Sequence, residues 1–198
     1  MALAKQRPQL YTTQEYLILE RESEVRHEYL NGEIFEMAGA NKRHNLISSN
    51  MIRVISNQIH DRECSVYGSD MRIKIRATEK YTYPDVVALC GPEEFEDETE
   101  DNLLNPALII EVLSKTTEAY DRGAKFAYYQ SIESFREYVL ITQEPFRVEQ
   151  FVRKDTSMWT YFEFRLADDV VKLSSIDCKL GLRDIYHKIE QTFPKKVT

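Results

Sequence analysis

Apolar and polar positions along this chain fall into two patterns. Leu108-Ile109-Ile110-Glu111-Val112-Leu113 is apolar at every position but one, which predicts a strand buried on both faces. Tyr83-Pro84-Asp85-Val86-Val87-Ala88-Leu89-Cys90 is a second such run with a single acid near its start. Pro84 suits a strand's first residue because it has no N–H to give a ladder. Glu137-Tyr138-Val139-Leu140-Ile141 is a third buried strand. Other segments carry helical spacing. Ile47, Met51, Val54, Ile55 and Ile59 share one face of a helix that Asn41 can cap and that runs to about Arg62. Thr12-Thr13-Gln14-Glu15 is a capping box and predicts a helix to about Arg21. Thr117 is placed to cap a helix from about Glu118 to Ser131, with Asp121 and Lys125 on one of its faces.

Between these elements, Asn31-Gly32 divides two strand-like runs from Arg26 to Met37 and predicts a hairpin. Met71 to Arg76 alternates apolar and basic residues. That face is expected to be solvated, or else to form a basic strip beside a site. Thr78 to Thr82 reads as a turn, and Pro92 to Asp101 as a solvated, mobile acidic loop. Phe146 to Val152, Met158 to Leu166 and Val170 to Leu173 read as antiparallel strands, and Leu180 to Ile189 as a closing helix. The stretch from Asp85 to Glu111 leaves room for a loop but for no crossover helix, so their strands are expected to pair antiparallel. The sum is α/β: a mixed sheet with helices on both faces and added antiparallel C-terminal strands. One domain over 1–198 is expected, with its core at about 11–154 and the C-terminal strands and helix at about 155–190.

Asp85 and Glu111 thus interrupt neighbouring apolar strands. Paired strands lie about 4.8 Å apart, so the two carboxylates can converge. Buried together, they require a proton or a metal ion between them. His44 lies one turn before Ile47. Its ordinary fate there is a half-buried ring bonded to a backbone carbonyl.

At 198 residues, 42% hydrophobic and 30% charged, the chain is a folded protein rather than a disordered one. Its net charge of −7 argues against generic polyanion binding, without excluding a local cleft assisted by a metal. Cys64, Cys90 and Cys178 have no metal-ligand spacing, and their odd number fits a reducing compartment. Met1 to Pro8 lacks the apolar core of a secretion signal, and no apolar run is long enough to span a bilayer. A cytoplasmic location with no membrane partner is expected.

The two acids on consecutive strands, in this order, resemble the PD-(D/E)xK restriction-endonuclease-like superfamily. The likeness narrows on further residues: His27-Glu28 ahead of Asn31-Gly32-Glu33, Arg43-His44-Asn45, Tyr83-Pro84-Asp85-Val86-Val87, Glu111-Val112-Leu113-Ser114, Tyr120-Asp121-Arg122-Gly123-Ala124-Lys125 and Arg136-Glu137-Tyr138-Val139-Leu140. Together they are similar to a large bacterial family of endonuclease-like proteins long carried as a domain of unknown function. The chain departs from the superfamily pattern at Leu113, which occupies the place of the E-x-K lysine. Lys115 lies further along the same strand. Lys125 sits on the following helix and is favoured, because Ser114 to Thr117 already reads as strand end and cap.

The resemblance implies metal-assisted hydrolysis of phosphodiester bonds, with DNA as the expected polymer. Asp85, Glu111 and the Val112 carbonyl would be the metal ligands, for Mg²⁺ or in its place Mn²⁺. Lys125 would stabilise the transition state. Glu28 would be an outer acid, with Glu33 as its rival, and His44 would contact phosphate or position Glu28. Two other classes compete. A catalytically inactive interaction module accords with the missing E-x-K lysine and the net acidity. A glycoside hydrolase is disfavoured, because carboxylates on adjacent strands stand too close for inversion and no aromatic platform lies nearby. Exposed C-terminal strands suggest a homodimer, which would also suit duplex cleavage.

Overall fold

The computed structural model describes residues 9–190 and Phe193. The Met1 to Pro8 stretch, read above for a secretion signal, lies outside them. Thr12 accepts from the Glu15 N–H while Glu15 accepts from the Thr12 N–H at 2.7 Å, and this closed capping box opens α1 (Thr13–Glu22). β1 (His27–Leu30) and β2 (Glu33–Glu36) form the hairpin. Asn31 and Gly32 turn it with φ of 54° and 91°, the left-handed values that a two-residue turn requires. Asn41 caps α2 (Lys42–Ile59) through the His44 N–H, and Ile47, Met51, Ile55 and Ile59 are buried along one face.

The strands that follow are β3 (Cys64–Gly68), β4 (Arg72–Ile75), β5 (Lys80–Thr82), β6 (Val86–Cys90), β7 (Asn102–Leu103) and β8 (Leu108–Leu113). α3 (Glu118–Tyr120) continues through a π-helical turn, Asp121–Lys125, into α4 (Phe126–Tyr129). β9 (Glu137–Thr142), β10 (Arg147–Arg153), β11 (Trp159–Phe164), β12 (Val170–Leu173), β13 (Cys178–Gly181) and α5 (Leu182–Ile185) complete the chain.

The central sheet is mixed, in the order β11-β10-β9-β8-β6-β3. β6 and β8 pair antiparallel, as their short connection requires, with Val86 opposite Ile110. β8 runs parallel to β9. All six residues of β8 are buried, and they alternate between two cores. Leu108, Ile110 and Val112 pack with α2, the β12–β13 hairpin and α5. Ile109 and Leu113 pack with Tyr129, Phe135 and Tyr138. A second sheet, β2-β1-β5-β4-β7, lies alongside. The chain passes from this sheet into the central one between β5 and β6, through Tyr83-Pro84-Asp85. Asp85 therefore stands where the two sheets meet.

Several expectations are corrected. Lys80–Thr82 is a strand rather than a turn, and Cys64–Gly68 is a strand that the apolar pattern does not reveal, because all five of its residues are only half-buried. Cys64 and Cys90 face each other across β3 and β6 and form a disulfide, which the odd cysteine count did not anticipate. The closing helix shrinks to α5. Leu180 and Gly181, read as its first residues, instead end β13, where Cys178 and Leu180 alternate into the core. Thr117 makes no side-chain cap, and the helix it precedes is interrupted by the π-turn.

The basic face of β4 is not solvated, nor is the acidic loop free. Arg72 is buried and donates to Asp101 at 2.7 Å and to the Tyr83 hydroxyl at 3.1 Å. Lys74 pairs with Glu96 at 2.6 Å, and Arg21 of α1 with Asp97 and Asp101. Glu96 and Asp101 of the acidic loop thus cover Lys74 and Arg72, while Glu93, Glu94, Glu98 and Glu100 stay exposed, as expected of a solvated loop. Among the described residues no helix is long and apolar enough to cross a membrane.

Candidate active site

Beyond Ile110, β6 no longer offers β8 a backbone partner, because Val86 is its first residue. The Asp85 side chain takes over: its Oδ2 accepts the Val112 N–H at 2.7 Å. In return the Asp85 N–H donates to Glu111 Oε2 at 3.3 Å. Each acid is thus held by the backbone beside the other, and the convergence anticipated from the two strands is built into the ladder's end. His44, in the first turn of α2, brings Nε2 to 3.1 Å from Asp85 Oδ2. It is bonded neither to a backbone carbonyl nor to Glu28, and its Nδ1 is buried without a partner.

Lys125 enters from the π-turn. Its Nζ lies 2.9 Å from Glu111 Oε1, 3.1 Å from Glu28 Oε1 and 3.7 Å from Asp121 Oδ1, and it donates to the Tyr83 carbonyl at 3.5 Å. π-turns within helices recur at functional sites because they redirect a side chain. Lys115 is exposed, in a turn fastened by Ser114 hydroxyl contacts to Thr116 and Thr117. Of the two candidate lysines, then, Lys125 reaches the acids. Of the two hairpin acids, Glu28 reaches Lys125. It also accepts from the Tyr83 N–H at 3.2 Å and from the Tyr120 hydroxyl at 3.1 Å.

The site has a dry side and a wet side. Side-chain exposure is 4–5% for Glu111, Lys125 and Asp121, but 16% for Asp85 and 15% for His44. Solvent reaches the acids from the Asp85–His44 side. Burial pushes the Glu111 carboxyl well above the usual carboxylate range. Lys125 opposes this shift, and Asp121 and Asp85 add to it. Burial raises Asp121 as well. Burial alone would lower Lys125, but Glu111, Tyr129, Glu28 and Asp121 outweigh it and hold the ammonium well above its ordinary value.

The model of the Uma2 family, described as "putative restriction endonuclease", matches residues 13–182. The chain belongs to this family. Two relatives from Synechocystis sp. match it over most of their length. Uncharacterized protein sll1609 is 36% identical over 78% of this chain and 87% of its own, and uncharacterized protein slr1290 is 32% identical over 87% and 90%. The fold is similar to the crystal structure of "a putative nuclease belonging to DUF820" from Anabaena variabilis. The TM-score is 0.72 at 21% identity, over 89% of this chain and 97% of that one. The mixed sheet, helices and C-terminal strands expected from the resemblance are thus a shared architecture.

In this Uma2 member three tyrosines and a threonine surround the candidate site, and the sequence reading gave none of them a role. The Tyr129 hydroxyl donates to Glu111 Oε1 at 3.3 Å and lies 3.0 Å from the Thr82 hydroxyl. Tyr83 offers its N–H to Glu28 and its carbonyl to Lys125. Tyr120 bonds the second oxygen of Glu28. Tyr129 was detectable in principle, being four residues after Lys125 and so on the same helical face. Tyr83 acts through its backbone, which no residue pattern discloses.

Among the described residues no three His, Cys, Asp or Glu side chains converge as a metal cage. The adjacent acids that could offer oxygens to an ion are Asp85 and Glu111. Two hard carboxylate oxygens, with the remaining positions left to water, backbone and substrate, fit the habit of Mg²⁺, which dehydrates reluctantly.

Proposed function

We propose that this chain is a metal-dependent endonuclease that hydrolyses phosphodiester bonds in DNA. One observation carries the reading. Asp85 and Glu111 are locked together at the end of the β6–β8 ladder, with a lysine ammonium 2.9 Å from Glu111. Membership of the Uma2 family supports the reaction class.

In this reading Asp85, Glu111 and the Val112 carbonyl would hold Mg²⁺ or, in its place, Mn²⁺. A bound divalent ion polarises a phosphoryl oxygen and acidifies a water. The chain's own residues supply the rest. Lys125 places fixed positive charge where the phosphorane gathers negative charge. Glu28, with Tyr83 and Tyr120, keeps that ammonium in position. His44 orients the Asp85 carboxylate on the side from which a phosphodiester can enter. Water is excluded behind Glu111, which strengthens each of these interactions.

The test is cleavage of duplex, single-stranded and branched substrates with Mg²⁺ or Mn²⁺ and with excess chelator. Cleavage should require the ion and vanish in Asp85→Asn and Glu111→Gln. Undiminished cutting in chelator would overturn the metal requirement. Absence of cutting across the whole panel would favour an interaction module.

A further inference from the structure

We propose that the Lys125 ammonium is the site's built-in second cation, so that the native centre takes a single divalent ion, on the Asp85 side of Glu111. This rests on the metal-dependent reading above and goes beyond it, because it fixes how many ions the centre holds and which residue fixes that number.

The carboxylate of Glu111 is divided between two environments. Oε1 is held by Lys125 at 2.9 Å and by the Tyr129 hydroxyl at 3.3 Å, on the dry side. Oε2 faces the Asp85 backbone, on the side open to solvent. A carboxylate that straddles two cations is the hallmark of two-metal phosphodiester centres, whose ions stand about 3.5–4 Å apart. Here one of the two cation positions is filled by an ammonium group.

The rest of that position is also built. Glu28 Oε1 at 3.1 Å and Asp121 Oδ1 at 3.7 Å close round Nζ, and the Tyr83 carbonyl adds a fourth oxygen at 3.5 Å. This is an all-oxygen surround, of the kind a hard cation takes. Three carboxylates spend their charge on Lys125, whereas a surface lysine would need none. Glu28 and Asp121 come from a strand of the second sheet and from the π-turn, two elements with no other reason to direct acids at one buried point.

Charge is compatible with this count. Four acids, Glu28, Asp85, Glu111 and Asp121, surround one ammonium. A single divalent ion leaves one negative charge over, and a second added beside Lys125 would leave one positive charge over. A second ion would therefore have to displace Lys125, which would separate a buried ammonium from the carboxylates that compensate it.

The experiment counts ions. Mn²⁺ binding is followed by electron paramagnetic resonance of the free ion and by calorimetry, on native protein, Lys125→Ala, Glu28→Gln and the double variant. Native protein should bind one Mn²⁺. Lys125→Ala should bind two, the second in the vacated position, and the double variant should return to one. Glu28→Gln in the native background should keep the count at one, because Lys125 still fills the position. Two ions in native protein, one ion in folded Lys125→Ala, or two in Glu28→Gln would each overturn the proposal. If Lys125→Ala does not fold, the counts for native protein and Glu28→Gln still decide. Native protein that binds no ion would sink the metal-dependent reading itself, an outcome distinct from all of these.

Discussion

The Asp85 carboxylate accepts the Val112 N–H at 2.7 Å, in the place where the β6 backbone would stand if that strand continued. In the proposed reading the acid has a scaffold task as well as a chemical one, and the two can be separated. Asp85→Asn keeps an acceptor oxygen for Val112, whereas Asp85→Ala strands a buried N–H. Asp85→Ala should lose about 1–3 kcal/mol in urea unfolding. Asp85→Asn should unfold close to wild type while losing metal binding and cleavage. Equal destabilisation of the two would show that the charge, and not the hydrogen bond, holds the strand ends together.

His44 meets Asp85 on the side facing solvent. If Asp85 is a metal ligand, as proposed, a histidine in that place would orient the carboxylate without touching the metal. His44→Leu, which fills similar space without a donor, should weaken Mg²⁺ affinity by about 10–100-fold and leave the melting temperature of the metal-free protein little changed. A calorimetric titration reads the first and a thermal melt the second. Unaltered affinity with impaired cleavage would move His44 from Asp85 to the substrate phosphate.

How far the site was legible depends on what each residue does with its side chain. Asp85 and Glu111 were legible because a lone acid in a run such as Leu108 to Leu113 is costly, and the cost draws attention to it. Lys125 was legible only through the resemblance, which calls for a lysine near the two acids, and was preferred to Lys115 because Ser114 to Thr117 already read as strand end and cap. Tyr83 was not, since it serves the site through its N–H and carbonyl. The roles of Arg72 and Lys74 were misjudged for a different reason. Alternation shows that two faces differ, but not what covers the polar one, and here the cover is an acidic loop distant in sequence. The closing helix was read too long because Leu180 and Gly181, its first residues as read, belong to the strand that precedes α5. The helices with real caps, at Thr12 and Asn41, were read correctly. A cap fixes a start by hydrogen bonding, without recourse to periodicity.

Stability should carry a pH signature of the buried acids. Burial holds Glu111 well above the usual carboxylate range, and Asp121 above it. The folded protein therefore keeps protons that the unfolded chain has already released. Their contribution is full below the ordinary carboxylate range and fades as pH rises through the raised values. Asp97 and Asp101, both lowered, act in the opposite sense as pH falls in the acid range. The cleanest measure is thus the difference between wild type and Glu111→Gln. In chelator, the variant should gain stability relative to wild type as pH increases from the ordinary carboxylate range upward. With Mg²⁺ that difference should shrink, because the ion replaces the proton. A difference independent of pH would mean that Glu111 is ionised throughout.

The two partners of the 2.9 Å Lys125–Glu111 contact should not be equivalent. Removing the charge of Glu111 leaves Lys125 with Glu28 and Asp121, so the ammonium stays compensated. Removing the charge of Lys125 leaves Glu28, Glu111 and Asp121 facing one another, all three buried. Breaking a buried pair in that way costs about 3–5 kcal/mol, because an uncompensated charge remains. Lys125→Met should show that loss in chelator at neutral pH, and Glu111→Gln only a fraction of it. The loss in Lys125→Met should be partly recovered on acidification, since protonation then relieves the stranded carboxylates. Added Mn²⁺ should recover less, because the methionine side chain still fills the space that the ammonium occupied. Denaturant unfolding of both variants at two pH values, with and without the ion, measures all of these. Equal losses in the two variants would reduce the cluster to a simple ion pair, with Glu28 and Asp121 as spectators.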